Sequence, residues 1–331
     1  MRAPDFWRAD GMSPRLLSPL GALYGAVAAR RLRRDARRAA LPTIVIGGLT
    51  AGGDGKTPVA IALAQMLAAN GDTPALLTRG YARGAGVSCE SFAVDPAIHG
   101  VEAAGDEALL LARHALTIVG PDRAASAERA RALGATVLIL DDGFHSRRLS
   151  ADLSLLVVDA GYGAGNGRCL PAGPLRAPLE AQFAAADAIV LIGRDAAGLA
   201  VTAGCGKPIF QARVNPDRQI AENLKGARVV AFGGIGRPGK FFQTLKETGA
   251  DIVVARNFPD HHRFSGADIA SLAALRERYG ARLITTEKDA MRLRGTALPF
   301  GVLPIRLVFE QADEPWTTLA EALERARLRV S

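Results

Sequence analysis

The stretch "TIVIGGLTAGGDGKTP", residues 43–58, constrains this chain more than any other. An apolar run at 43–46 leads into a glycine-rich loop, and Lys56 and Thr57 then open an alanine-rich segment of helical character. Strand, loop and helix in that order gather successive backbone N–H groups at a helix N-terminus, where they cradle phosphate oxygens. In such a loop Lys56 reaches the terminal phosphates of a nucleotide, and the Thr57 hydroxyl sits on Mg²⁺. The strict pattern G-x-x-x-x-G-K-[ST] asks for glycine where Thr50 stands; Gly52, Gly53 and Gly55 supply backbone freedom instead. The residues expected around the nucleotide are therefore Thr50, Ala51, Gly52, Gly53, Asp54, Gly55, Lys56 and Thr57. Asp54 is the odd member, since a carboxylate beside triphosphate oxygens is repulsive unless it points outward or toward the metal.

The alternation continues downstream. "PALLTRGY", "LTIVG", "TVLILDDG", "LSLLVVDAG" and "DAIVLIG" read as strands, while "PVAIALAQMLAANG", "DEALLLARHA" and "DRAASAERARALGA" read as helices. Strands that are apolar throughout, rather than at every second residue, predict a parallel sheet covered on both faces. The cycle restarts at "ARVVAFGGIG" and runs through "GKFFQTLKETGA", "DIVVARNFPDHH", "GADIASLAALRERYG" and "ARLITTEKDAMRL" to a closing helix near "TTLAEALERARLR". At 331 residues the chain exceeds one compact core. We expect an α/β protein in three parts: an N-terminal basic amphipathic helical region, residues 1–40; a P-loop NTPase-like parallel-sheet domain, residues 41–215; and a second, smaller α/β domain, residues 216–331.

The N-terminal region offers Phe6, Trp7, Leu16, Leu17, Leu20, Leu23, Tyr24 and Val27, then Arg30, Arg31, Arg33, Arg34, Arg37 and Arg38. An apolar helical segment joined to clustered arginines has the composition of an element lying on an anionic membrane surface. An ordinary packed helix with a solvated basic end is the plainer alternative. Formal net charge is +8, and arginine carries nearly all of it, because lysine stands only at 56, 207, 225, 240, 246 and 288. That excess reflects either GC-rich coding or a preference for anions. Nucleic acid is not expected as a partner, since no basic platform interleaved with aromatics exists beyond the N-terminus. No apolar run reaches 18 residues, so a spanning helix is not expected. Cys89, Cys169 and Cys205 form no C-x-x-C pair, which speaks against a disulfide framework or a zinc site and suits a reducing compartment.

Acidic residues cluster at the ends of expected strands. "VLILDDG" puts Asp141 and Asp142 where P-loop enzymes keep a carboxylate that organises Mg²⁺, with Asp159 of "LLVVD" as a rival. Asp106 and Glu107 in "AAGDEALLL" open a helix, where an acidic first turn needs no function. "FPDHHRFS" sets Asp260, His261 and His262 in a loop, and a carboxylate beside an imidazole can poise a base.

"GGLTAGGDGKTP", "TRGY", "GDEALLL", "LILDDGF", "LPAGPLR", "GIGRPGKFF", "FPDHH" and "TTEKDAMRL" occur in that order over essentially the whole chain. The set closely resembles the tetraacyldisaccharide 4'-kinase (lipid A 4'-kinase) family. The resemblance implies transfer of the γ-phosphate of ATP, with Mg²⁺, to the 4'-hydroxyl of a tetraacylated glucosamine disaccharide 1-phosphate, giving lipid IVA. It implies a peripheral protein on the cytoplasmic face of the bacterial inner membrane, docked through its N-terminal region, with no obligate protein partner. By position, Asp106 matches the family's proposed catalytic base and His261 its partner, alongside Lys56 in catalysis. Thr57, Asp141 and Asp142 match the metal-side residues, and Glu107 and Arg176 match positions lining the substrate or phosphate region.

The chain departs from the family's pattern in three places. "DDGFHS" carries His145 and Ser146 where the family commonly reads "DDGFQH". Ala177 stands for the acid of "LPAGPLRE", and Asp54 for a serine or threonine. A membrane-associated switch ATPase acting on a protein partner is the alternative, but its "KGGxGKT" loop has lysine where this chain has Ala51.

Overall fold

The structure, a computed structural model, describes residues 4–81, 84 and 90–329; Cys89 lies outside them. In chain order the strands are β1 (Thr43–Gly48), β2 (Pro74–Thr78), β3 (Phe92–Ala93), β4 (Leu116–Val119), β5 (Val137–Leu140), β6 (Leu153–Asp159), β7 (Ala188–Ile192) and β8 (Ile209–Pro216). They continue as β9 (Arg228–Gly233), β10 (Asp251–Asn257), β11 (Arg282–Thr285), β12 (Gly301–Val302) and β13 (Ile305–Phe309). Among the described residues they form two sheets, of order β13-β8-β7-β6-β1-β5-β2-β4-β3 and β10-β9-β11-β12. The interior of the large sheet is parallel, and its two edges are antiparallel, β3 on β4 and β13 on β8.

The expected continuous apolar strands are buried on both faces. Ile44, Ile46, Val157 and Val190 face one core with Val59, Leu63 and Leu67 of the helix Lys56–Ala69. Val45, Leu138, Leu140, Leu156 and Ile189 face another, with Ala127 and Ala130 of the helix Arg123–Ala132. Neighbouring residues of one strand thus serve opposite layers. β1 lies between β5 and β6, so the sheet order switches beside it. In parallel sheets the crevice beyond the C-terminal strand ends at such a switch is where ligands bind.

The boundary expected at residues 216–331 needs correction at its far end. The small sheet closes with β12, and β13 then returns to pair antiparallel with β8, Ile305 opposite Pro216 and Phe309 opposite Ala212. The last helix, Asp313–Leu328, follows it home, burying Leu319, Ala322 and Leu323 in the large sheet's core. Apolar spacing shows that this helix has a buried face; it does not say which sheet that face meets.

In the N-terminal region, Met12–Leu32 is one helix. Its inner face carries the buried Pro14, Gly21, Gly25 and Leu32. A Cβ on Gly21 would come within 2.9 Å of the Cys169 carbonyl oxygen, so glycine permits this close seating. Met12, Leu16, Leu20, Leu23, Tyr24 and Val27 point to solvent from the same helix, Leu16 at 74% exposure. Among the described residues no helix is long and apolar enough to cross a membrane.

Candidate active site

β1 ends into the phosphate loop, and the helix Lys56–Ala69 begins at Lys56. Gly52, Gly53 and Gly55 all have positive φ, which places glycine at each bend of the loop. Asp54 is buried and turned into the loop itself: Oδ2 accepts the Thr50 N–H at 2.9 Å, and Oδ1 accepts the Thr50 hydroxyl at 2.5 Å. The carboxylate occupies space that exists only because residue 48 is glycine, where a Cβ would lie 2.4 Å from Asp54 Oδ2.

Three acids line the strand ends, and their partners separate them. Asp159 binds Arg237 Nη1 and Lys240 Nζ, each at 2.5 Å. Asp142, at φ 57°, accepts from Arg176 Nη1 at 2.8 Å and lies 3.8 Å from Lys56 Nζ. Burial opposes the charge on Asp142, yet Lys56 and Arg176 outweigh it and hold the carboxyl well below the usual range. Asp141 is buried, and among the described residues its Oδ1 has no hydrogen-bond partner. Burial, reinforced by the nearby charge of Glu107, pushes its carboxyl up to about 6. A buried carboxylate oxygen with no donor suits a hard cation, and the hydroxyl of Thr57 is the oxygen type that accompanies it in phosphate-loop enzymes. Among the described residues no group of three or more His, Cys, Asp or Glu side chains forms a metal cage.

Arg176 also donates from Nε to the Thr50 carbonyl at 3.0 Å, so it braces the loop as well as Asp142. His145 lies 2.8 Å, through Nε2, from Gln182 Oε1, and the Gln182 amide donates to the Ala177 carbonyl at 2.6 Å. Burial and the adjacent Arg176 push His145 down to about 4, which leaves it neutral. Two of the three departures, His145 and Ala177, thus sit in one hydrogen-bonded brace beside Arg176. Arg123 is a further buried cation, pushed down to about 10 by burial with Arg79 nearby, and supported by the charges of Asp141 and Asp142.

The second group spans the two sheets. Asp106 opens the short helix Asp106–Leu111 of the large-sheet unit and is fully buried. His261 Nδ1 lies 3.0 and 3.1 Å from its two oxygens, and Arg292 Nε lies 2.9 Å from Oδ2. Burial works to raise the Asp106 carboxyl, but the His261 hydrogen bond and the Arg292 charge hold it below the usual range. Reciprocally, the bond to Asp106 raises His261 above an ordinary histidine, against its burial. Glu107 pairs with Lys288 at 2.6 Å, and that charge lowers the Glu107 carboxyl. An apolar seam backs these contacts: Ala108, Leu109 and Leu110 pack with Ala290 and Met291 of the helix Glu287–Arg292. His262, by contrast, reaches Asp268 at 3.1 Å and stacks on Phe258, a structural task.

The structure thus brings the expected Asp106 and His261 together, and it sets Lys56 and Arg176 both against Asp142; the sequence reading had paired only the first two. It assigned no part to Arg237, Lys240, Lys288 or Arg292. All four lie in motifs already conspicuous, "GIGRPGKFF" and "TTEKDAMRL", where lysine is scarce enough in this chain to have served as a signal.

The family model for tetraacyldisaccharide-1-P 4'-kinase matches residues 13–324. A tetraacyldisaccharide 4'-kinase from Methylobacterium nodulans is 48% identical over 333 residues, covering 99% of this chain and 96% of that protein. Another, from Paramagnetospirillum magneticum, is 51% identical over 295 residues, covering 88% and 90%. Among solved structures, LpxK from Aquifex aeolicus in complex with ATP superposes with a TM-score of 0.73 at 28% identity, covering 94% of this chain and all of that one.

Proposed function

Because the chain belongs to the tetraacyldisaccharide 4'-kinase family, its reaction is ATP-dependent phosphorylation of the 4'-hydroxyl of tetraacyldisaccharide 1-phosphate in lipid A biosynthesis, and we propose that the cleft between the two sheets performs it with the residues described above. The observation that carries this reading is the Asp106–His261 pair, assembled across the two sheets next to Glu107, whose carboxylate feels the charge of Lys56 in the phosphate loop. The family match also disfavours the switch-ATPase alternative.

A sugar hydroxyl is a weak nucleophile and must lose its proton as the phosphoryl group arrives. The buried Asp106 fixes the imidazole through Nδ1, and the pair takes up that proton. As the new P–O bond forms at the 4'-oxygen, the bond between the γ-phosphorus and the bridging oxygen breaks, and ADP leaves. Lys56 and the loop N–H groups meet the charge on the transferring group. Thr57 and Asp141 would hold Mg²⁺, with Asp142 beside them; when bound, the ion neutralises the phosphates' charge. Glu107, kept ionised by Lys288, and Arg176, at the loop's rim, line the approach for the acceptor.

The outward stripe of the helix Met12–Leu32, followed by exposed arginines 30, 31, 33, 34, 37 and 38, supports docking on an anionic bilayer at the cytoplasmic face of the inner membrane. The acyl chains of the acceptor then stay in the bilayer while its sugar reaches the cleft. The test is transfer of labelled γ-phosphate to tetraacyldisaccharide 1-phosphate in mixed micelles. Labelled lipid product is expected; ATP hydrolysis without it would overturn the reading.

A further inference from the structure

The phosphate loop is gripped by a residue of the other sheet. Arg237 lies between β9 and the helix Pro238–Glu247 of the small-sheet unit. Its Nη2 lies 3.0 Å from Asp54 Oδ1 and donates to the Thr50 hydroxyl at 2.7 Å, while Nη1 binds Asp159 at the end of β6 at 2.5 Å. The guanidinium also stacks 3.8 Å above the Tyr162 ring. Its stem runs so close to the loop that a Cβ on Gly53 would meet Arg237 Cγ at 2.7 Å. The side chains of Asp54 and Asp159 are each 1% exposed, and Lys240 completes the charge balance at Asp159.

The Thr50 hydroxyl links the two halves of this arrangement, accepting from Arg237 and donating to Asp54. Asp54 in turn holds the Thr50 N–H, which closes the loop on itself two residues before Lys56. Without the guanidinium, Asp54 would be a buried, uncompensated carboxylate within the phosphate cradle, and its cheapest relief is to swing out toward solvent and the phosphates. Arginine suits the task because its planar fork serves two carboxylates and a hydroxyl at once.

We propose that Arg237 is a positioning residue for ATP: it neutralises Asp54 and fixes the phosphate loop in its binding form through the docked small-sheet unit. Asp54, anomalous for a phosphate loop, is then one half of a two-part device whose other half lies in the second sheet. The proposal rests on the reading that this loop holds ATP.

The experiment compares kcat and KM for ATP and for the lipid acceptor in wild type, Arg237→Gln, Asp54→Asn and the double variant. Arg237→Gln is expected to raise KM for ATP at least tenfold while KM for the acceptor changes less than twofold. In the double variant the excess charge is gone, so its KM for ATP is expected to be no worse than that of Arg237→Gln. Arg237→Lys, keeping the charge without the fork, should fall between wild type and Arg237→Gln. An ATP KM within twofold of wild type in Arg237→Gln, or losses that multiply in the double variant, would overturn the proposal. If Arg237→Gln does not fold, the cycle runs from Arg237→Lys with Asp54→Asn: an ATP KM raised more than twofold in Arg237→Lys supports the proposal, and one within twofold of wild type, or losses that multiply in the double variant, overturns it. Lys56→Ala separates the two layers of the argument. Undiminished transfer in that variant removes ATP from the loop altogether, whereas its loss beside a neutral Arg237→Gln removes only the role of Arg237.

Discussion

Asp106 and His261 meet although 155 residues separate them, and each shifts the other's proton affinity. The pair can take up a proton only after His261 has released the one that its raised pKa lets it keep. The acidic limb of kcat/KM should therefore lie above the ordinary histidine value of 6.5, with activity rising as pH rises through it. Asp106→Asn removes the group that raises His261, so the limb should move down while kcat falls about 10²-fold, a general-base-sized loss. A limb that stays in place would remove Asp106 from the pair. Asp141 carries a separate expectation. With its carboxyl near 6 in the absence of a cation, Mg²⁺ binding must compete with a proton, so half-saturating Mg²⁺ should rise as pH falls through that range. Asp141→Asn should raise the Mg²⁺ requirement about tenfold or more, read from rate against Mg²⁺ concentration.

At the scale of elements, the helix Met12–Leu32 has two apolar faces in different surroundings. Pro14, Gly21 and Gly25 pack it onto the domain, and the Leu16, Leu20 and Leu23 face has no protein neighbour to bury it among the described residues. Replacing those three leucines by aspartate should move the protein from the membrane fraction to the soluble fraction on sedimentation. Because the substitutions fall on exposed positions, each should alter stability by no more than about 0.5 kcal/mol. A variant that still sediments with membranes would remove this face from the proposed docking. The sequence showed the apolar and basic composition of this region plainly. It did not distinguish the face that packs from the face left open, because both are apolar and glycine seats the helix on the domain through its lack of a side chain.

At the scale of the molecule, the chain builds a large parallel sheet, departs for a small one and returns to finish the first. Ending it at residue 304 would remove β13 and the last helix, exposing the core that Phe309, Leu319 and Leu323 close. Each such side chain is worth about 1.5–3 kcal/mol when buried. The summed loss rivals the 5–15 kcal/mol that holds a typical domain together. That truncation should abolish the cooperative thermal transition; a retained transition would make the two sheets independent of the C-terminal segment. The amino-acid sequence by itself determined the phosphate loop, the parallel α/β class and the list of acids at strand ends. Those depend on backbone freedom and on apolar spacing over a few residues. Only the tertiary structure decided that β13 rejoins the large sheet, that Asp159 is taken by Arg237 and Lys240, and that among the described residues Asp141 keeps an unpartnered oxygen. It also decided that Asp54 answers to Arg237. Charges pair according to which strand ends packing brings within a few ångströms, and no local pattern encodes a contact between residues 187 positions apart, as Thr50 and Arg237 are.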